Sequence, residues 1–116
     1  MEERFRYVEH KGKTIVLVDL SNLRDEKEII ALLRKRATIP SPHFLLADLT
    51  NAHFTTAIVQ EAKVNAKAVK PLIKAFAVVG AGGTMSIIAS AVSKFSGMHI
   101  ASFKTRGEAM DWLVKQ

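Results

Sequence analysis

The chain has 116 residues, 48% of them hydrophobic, which suits one domain (residues 1–116) with one core rather than two. It contains no cysteine, so disulfide and thiol chemistry are excluded, and no apolar run approaches the roughly 20 residues of a membrane-spanning helix. The formal net charge of +6 is unevenly spread: residues 1–58 carry nine Lys/Arg against eight Asp/Glu, and residues 59–116 carry eight against three. The first residues, MEERFRYVEH, are charged and lack the apolar centre of a signal peptide, so a cytoplasmic location is expected.

In chain order, Phe5–Glu9 alternates apolar and charged residues and predicts a half-buried edge strand. His10–Lys13 predicts a hairpin turn around Gly12, and the β-branched run Thr14–Val18 a central strand ended by Asp19. Asp25 and Glu28 have the spacing of a capping box, with Ser21 and Asn22 as rival caps. The helix that follows runs to about Ala37 and turns Ile29, Ile30, Leu32 and Leu33 inward. Its last turn holds Arg34, Lys35 and Arg36, which suit the negative end of the helix dipole.

Pro40-Ser41-Pro42 predicts a stiff loop, Phe44–Ala47 a third strand ended by Asp48, and Thr50–His53 a second loop. Thr55 or Thr56 caps a helix reaching about Val69, with Ala57, Ile58, Ala62 and Ala66 inward, and Pro71 stops it. Ala75–Val79 is a short apolar run, as in a strand covered on both faces. Gly80-Ala81-Gly82-Gly83 then predicts a turn, Thr84 a cap, and Met85, Ile88, Val92 and Phe95 the inward face of a third helix closed by Gly97. Phe95 is expected between that helix and the sheet. Ile100–Phe103 predicts a last strand, and Thr105 with Glu108 a capping box for a final helix burying Ala109, Trp112 and Leu113.

The order ββαβαβαβα predicts an α/β fold: a mostly parallel, mixed five-stranded sheet with an antiparallel first strand and four helices. VDLSNL (Val18–Leu23) and ADLTNA (Ala47–Ala52) echo each other and are read as two equivalent strand ends. In such a sheet, ligands bind beyond the carboxyl ends of the strands, where Asp19, Asp48, Thr50, Gly80, Gly82 and Gly83 are expected. Two uses are open for these groups. The aspartates can bond nearby loop amides, or the turn can hold an anion at a helix N-terminus. The glycines lack the spacing of GxGxxG and of GxxxxGK[ST], which argues against a nucleotide site. The four histidines have no ligand at metal spacing, and no serine, lysine or carboxylate pair is set up as nucleophile and base. No catalytic residue, metal or cofactor is therefore assigned. Lys63, Lys67 and Lys70 share one helix face, either solvated or docking an acidic partner.

The element order resembles the STAS domain of bacterial anti-sigma-factor antagonists and of the cytoplasmic tails of sulfate transporters. Asp48-Leu49-Thr50 resembles that family's strand end of Asp, an apolar residue and Ser or Thr. Ala77–Gly80, Ile87-Ile88, Ala91–Gly97 and Phe103–Leu113 resemble the final third of small stand-alone STAS-like proteins. The antagonists carry a phosphorylatable Ser in a Ser-Ser-Gly-Leu-like turn. Here Thr55 or Thr56 occupies a comparable place within His53–Ile58, and the Ser-Gly pair is missing. The resemblance implies a non-enzymatic regulatory module that binds a protein partner, without nucleic acid and with a homodimer open. From another class, a carrier or sensor of a small anionic or apolar, lipid-like ligand is the alternative.

Overall fold

The computed structural model describes residues 4–116. Five strands, β1 (Phe5–His10), β2 (Lys13–Asp19), β3 (His43–Asp48), β4 (Ile73–Val79) and β5 (Ile100–Phe103), lie side by side in sequence order. β1 pairs antiparallel with β2 across the Lys11-Gly12 turn, and the remaining pairs are parallel. Four helices connect and follow them: α1 (Glu26–Arg36), α2 (Thr56–Val69), α3 (Thr84–Ser96) and α4 (Arg106–Leu113). The predicted order and strand directions are all present.

Each parallel step moves one place along the sheet in the same direction. Right-handed crossovers then put every connecting helix on one face. α1, α2 and α3 accordingly share a core with Val16, Val18, Leu45, Ala47, Phe76 and Val78. α4 follows the last strand and covers the opposite face, where Ala109 and Leu113 pack on Ile15, Leu17, Phe44, Leu46, Ala77 and Val79. β3, at the centre, is buried along its whole length.

The local signals act as expected at three helix starts. Asp25, Thr55 and Thr105 are the caps of α1, α2 and α4, accepting from the amides of Glu28, Ile58 and Glu108. Thr84 is a correction. It is the first residue of α3, whose cap is Gly83 at φ 55°, with no side-chain bond. Ile30 and Trp112 are only partly buried, and Ala57, expected inward, is exposed at the mouth of α2.

Phe95 is the larger correction: its side chain is 49% exposed. At about 3.6 residues per turn, Met85, Val92 and Ser96 fall on one line, and Phe95 lies on its shoulder. Ser96 takes the inward place, buried and donating to the carbonyl of Val92 at 2.8 Å. The Phe95 ring instead lies under two cations, with Lys63 Nζ 5.9 Å and Lys67 Nζ 5.5 Å from its centre. Phe95→Ala should therefore cost about 1 kcal/mol, the scale of a partly exposed cation–π contact, rather than the ~3–5 kcal/mol of a buried Phe. Urea denaturation checks this, and a loss above about 3 kcal/mol would return Phe95 to the core.

Candidate functional site

The two echoed segments end β2 and β3, which are adjacent and parallel with Asp19 opposite Asp48. Each aspartate folds its own turn. Asp19 Oδ1 accepts from the Ser21 amide at 3.0 Å and hydroxyl at 2.5 Å. Asp48 Oδ1 accepts from the Thr50 amide at 3.0 Å and hydroxyl at 2.7 Å. Asn22 and Asn51 then take positive φ, 59° and 54°, a conformation asparagine tolerates better than most residues. They touch through Asn51 Nδ2 donating to Asn22 Oδ1 at 3.2 Å.

Arg106, the first residue of α4, reaches across the carboxyl end of the sheet and joins the two turns. Its Nε donates to Asp48 Oδ2 at 2.8 Å, and its Nη2 lies 3.1 Å from Asp19 Oδ2. Asp48 is 6% exposed. Arg4 adds a second cation, donating to the carbonyls of Asp19 and Ser21 at 3.1 and 2.9 Å. Burial alone pushes the Asp19 carboxyl up, but the Ser21 hydroxyl and amide and the Arg106 charge outweigh it and hold it below 3.8. Burial likewise opposes the charge on Arg106, and its two carboxylate partners more than restore it.

Gly80 sits beside this bridge at φ +75°. A Cβ there would fall 2.2 Å from Thr50 Oγ1 and 2.8 Å from Thr50 Cα, so only glycine lets β4 turn away past Thr50. Gly82 and Gly83 have open space around them, and Gly80 and Gly82 border a cleft of about 510 Å³ with Asn51, His53 and Phe54. The sites expected at the strand ends thus divide. Asp19 and Asp48 are joined through Arg106, with Thr50 bonded to Asp48; Gly80 packs on Thr50 and lines the cleft with Gly82, and Gly83 has open space around it.

The remaining candidates lie on the helices. Thr55 is engaged: its hydroxyl accepts from the Ile58 amide at 3.3 Å and donates to the Glu26 carboxylate. Thr56, the first residue of α2, is exposed. Lys63 and Lys67 frame Phe95, whereas Lys70 Nζ points to Gly97 at the end of α3, 3.0 Å from where a Cβ would stand. Ile87 on α3 is 71% exposed and Val64 on α2 60% exposed. Among the described residues no three His, Cys, Asp or Glu side chains gather as a metal site, and no helix is long and apolar enough to cross a membrane.

The solved structure of an anti-sigma-factor antagonist (STAS) domain protein from Planctomyces limnophilus superposes with a TM-score of 0.62, over 94% of this chain and 96% of that one, at 14% identity. The fold is that of a STAS domain. No family model matches the chain, and no curated protein matches it. The superposition spans nearly the whole of both chains, so the agreement is one of architecture rather than of a single motif.

Sequence reasoning missed Arg106. Its signal was a cation in the first turn of a helix, where the dipole disfavours positive charge and a partner elsewhere must compensate. Arg106→Leu leaves Asp48 enclosed without its cation and should cost about 3 kcal/mol. Asp19 is held below its unfolded value of 3.8, so its contribution is present above that pH and is lost as pH falls through the lower folded value. Acid unfolding of the parent followed beside Arg106→Leu should show the parent's extra stability shrinking below pH 3.8, and equal slopes in the two proteins would refute the assignment. Gly80→Ala should cost about 3 kcal/mol or more through strain and collision with Thr50. Gly82→Ala, in open space, should change stability by less than about 1 kcal/mol, and thermal melts of the pair separate the two glycines.

Proposed function

We propose that this chain is a non-enzymatic regulatory module that binds a protein partner through the outward face of α2 and α3, with Thr56 as its regulatory position. One observation carries the reading: an exposed aromatic, Phe95, held between Lys63 and Lys67 on a face that also exposes Ile87. Aromatic side chains are enriched at protein interfaces, and an apolar surface ringed by charge marks binding sites. α3 has no acidic residue, and the one acidic side chain of α2, Glu61, pairs with Arg34 at 3.0 Å. A partner with carboxylates around an apolar side chain complements this face.

The closed group at the strand ends supports the same reading. Asp19, Asp48 and Arg106 satisfy one another, which leaves no base or nucleophile poised there. The STAS fold of the superposed antagonist domain fits a role in protein interaction, and the partner of this chain is proposed on its own surface.

Thr56 is placed to switch that surface. Thr56, Gln60, Lys63 and Lys67 follow at i, i+4, i+7 and i+11, one stripe along α2 at about 3.6 residues per turn. A phosphate on Thr56 brings about −1.5 to −2 charges to the start of this stripe, where the helix dipole welcomes them. It thereby lowers the positive potential offered to an acidic partner. Thr55 is unsuited, because modification would remove a cap and set charge against Glu26.

The test begins with affinity capture from the source cell and continues with the purified partner. Thr56→Glu should weaken its binding about fivefold or more, some 1 kcal/mol, with the melting temperature within ~2 °C of the parent. Lys63→Glu/Lys67→Glu should weaken it further. A partner bound equally by all three proteins would place the interface elsewhere, and a chain that captures nothing reproducibly would remove the module reading.

A further inference from the structure

β1 is one edge of the sheet, and among the described residues no strand pairs with its outer side. Lys11 and Gly12, at φ 51° and 81°, make a two-residue turn of the kind that matches the twist of a hairpin. The residues flanking such a turn, His10 and Lys13, exchange both backbone bonds, and bonded and unbonded pairs alternate from there. Val8 is therefore bonded to Ile15, and Arg6 to Leu17. The amides and carbonyls of Phe5, Tyr7 and Glu9 point the other way, out of the edge of the sheet.

Edges of this kind are ordinarily blunted by a proline, a bulge or a covering segment. β1 runs six residues in unbroken register with β2 and contains no proline. α1, α2 and α3 connect β2 through β5 and leave Tyr7 62% exposed. Phe5 packs against the core under these three helices, and Tyr7 stands opposite Val16 of that core, so Phe5, Tyr7 and Glu9 share this face. Val8 packs on the α4 face, which it shares with Arg6. The charges of Arg6 and Glu9 thus lie above and below the sheet and leave the outward backbone groups open. Lys35, from the last turn of α1, holds its Nζ 5.0 Å from the centre of the Phe5 ring.

We infer that this edge pairs with the same edge of a second copy, antiparallel about a two-fold axis, with Tyr7 opposite its own counterpart. Opposed residues of two such strands share a face of the joined sheet, so only residues of like parity meet. Centring the pair on Tyr7 sets Phe5 opposite Glu9 at both ends and engages every outward group of the strand. Centring it on Arg6 sets two arginines opposite one another, and centring it on Val8 leaves Phe5 unpaired. The Tyr7 register also brings Glu9 of each copy to the Phe5 ring of the other, where Lys35 waits. Backbone bonds then supply affinity, and two Lys35–Glu9 pairs select the register. The edge is separate from the α2–α3 face, and a failure at either leaves the other untouched.

Sedimentation equilibrium of the whole chain over rising concentration tests the inference. The mass should climb from 12.8 kDa toward twice that value. Glu9→Lys and Lys35→Glu, each of which opposes like charges, should weaken the dimer at least about tenfold, and the double exchange should restore it. Lys63→Glu/Lys67→Glu should leave it unchanged. The chain has no cysteine of its own, so single cysteines report the register. Tyr7→Cys, about 5.5 Å from its counterpart between Cα atoms, should form a covalent dimer on mild oxidation, and Arg6→Cys should not. A mass that stays at one chain up to about 1 mM, a double exchange that fails to restore the dimer, or equal crosslinking of the two cysteine variants overturns the inference.

Discussion

The bridge from Asp19 through Arg106 to Asp48 fixes the carboxyl end of the sheet. Arg106 comes from α4, on one face, while the turns it joins lead into α1 and α2 on the other. One side chain thus ties both helical layers to the two central strands. Backbone bonds continue the staircase across the sheet: Leu20 donates to Asp48, Leu49 to Val79 and Gly80 to Phe103. Each strand end is held by its neighbour, and the aspartates keep the first two steps in register. Gly80 belongs to the same constraint, because β4 leaves the sheet at van der Waals distance from Thr50.

This closure decides where function is sought. Open α/β sheets commonly take ligands beyond the strand ends, because helix N-termini and polar turn groups converge there. Here Asp19, Asp48, Thr50 and Arg106 converge on one another, and their hydrogen-bonding capacity is spent internally. What is left unmatched lies elsewhere. On the surface it is the lysine-framed Phe95, and inside it is His43, whose Nε2 is buried without a hydrogen-bond partner.

The architecture was legible because local and global signals agreed. The capping boxes at Asp25 and Thr105, the breaker Pro71 and the apolar run into Val79 each pointed to the element found. The echo of Asp19-Leu20-Ser21-Asn22 in Asp48-Leu49-Thr50-Asn51 even foretold that two strand ends are built alike. Arg106 was not legible, because its partners lie 58 and 87 positions away in sequence and no local spacing encodes them (106 − 48 and 106 − 19). Phe95 failed for a finer reason. Apolar spacing places it near the inward stripe, but Ser96 can enter a tight site by bonding its own helix, and the ring is displaced onto the lysines.

Arg36 and Arg106 show that residue type alone does not say how a charge is held. Both are arginines at helix ends, in a turn of helix beside a buried core. Arg106 is partly exposed and meets two carboxylates, so its charge is neutralised where it stands and its role is fulfilled within the fold. Arg36 is more deeply buried and meets an amide oxygen and an aromatic face. If packing alone set that position, methionine would fill it at lower electrostatic cost. Arg36 also lies in the last turn of α1, where free carbonyls favour a cation, but that dipole is a fraction of a charge and is met by Lys35 and Arg34 already. The helix end therefore explains a basic residue at the surface and not one turned inward. What turns it inward is the bond to Asn65, which itself holds the Leu33 carbonyl, so that the end of α1 is tied to α2.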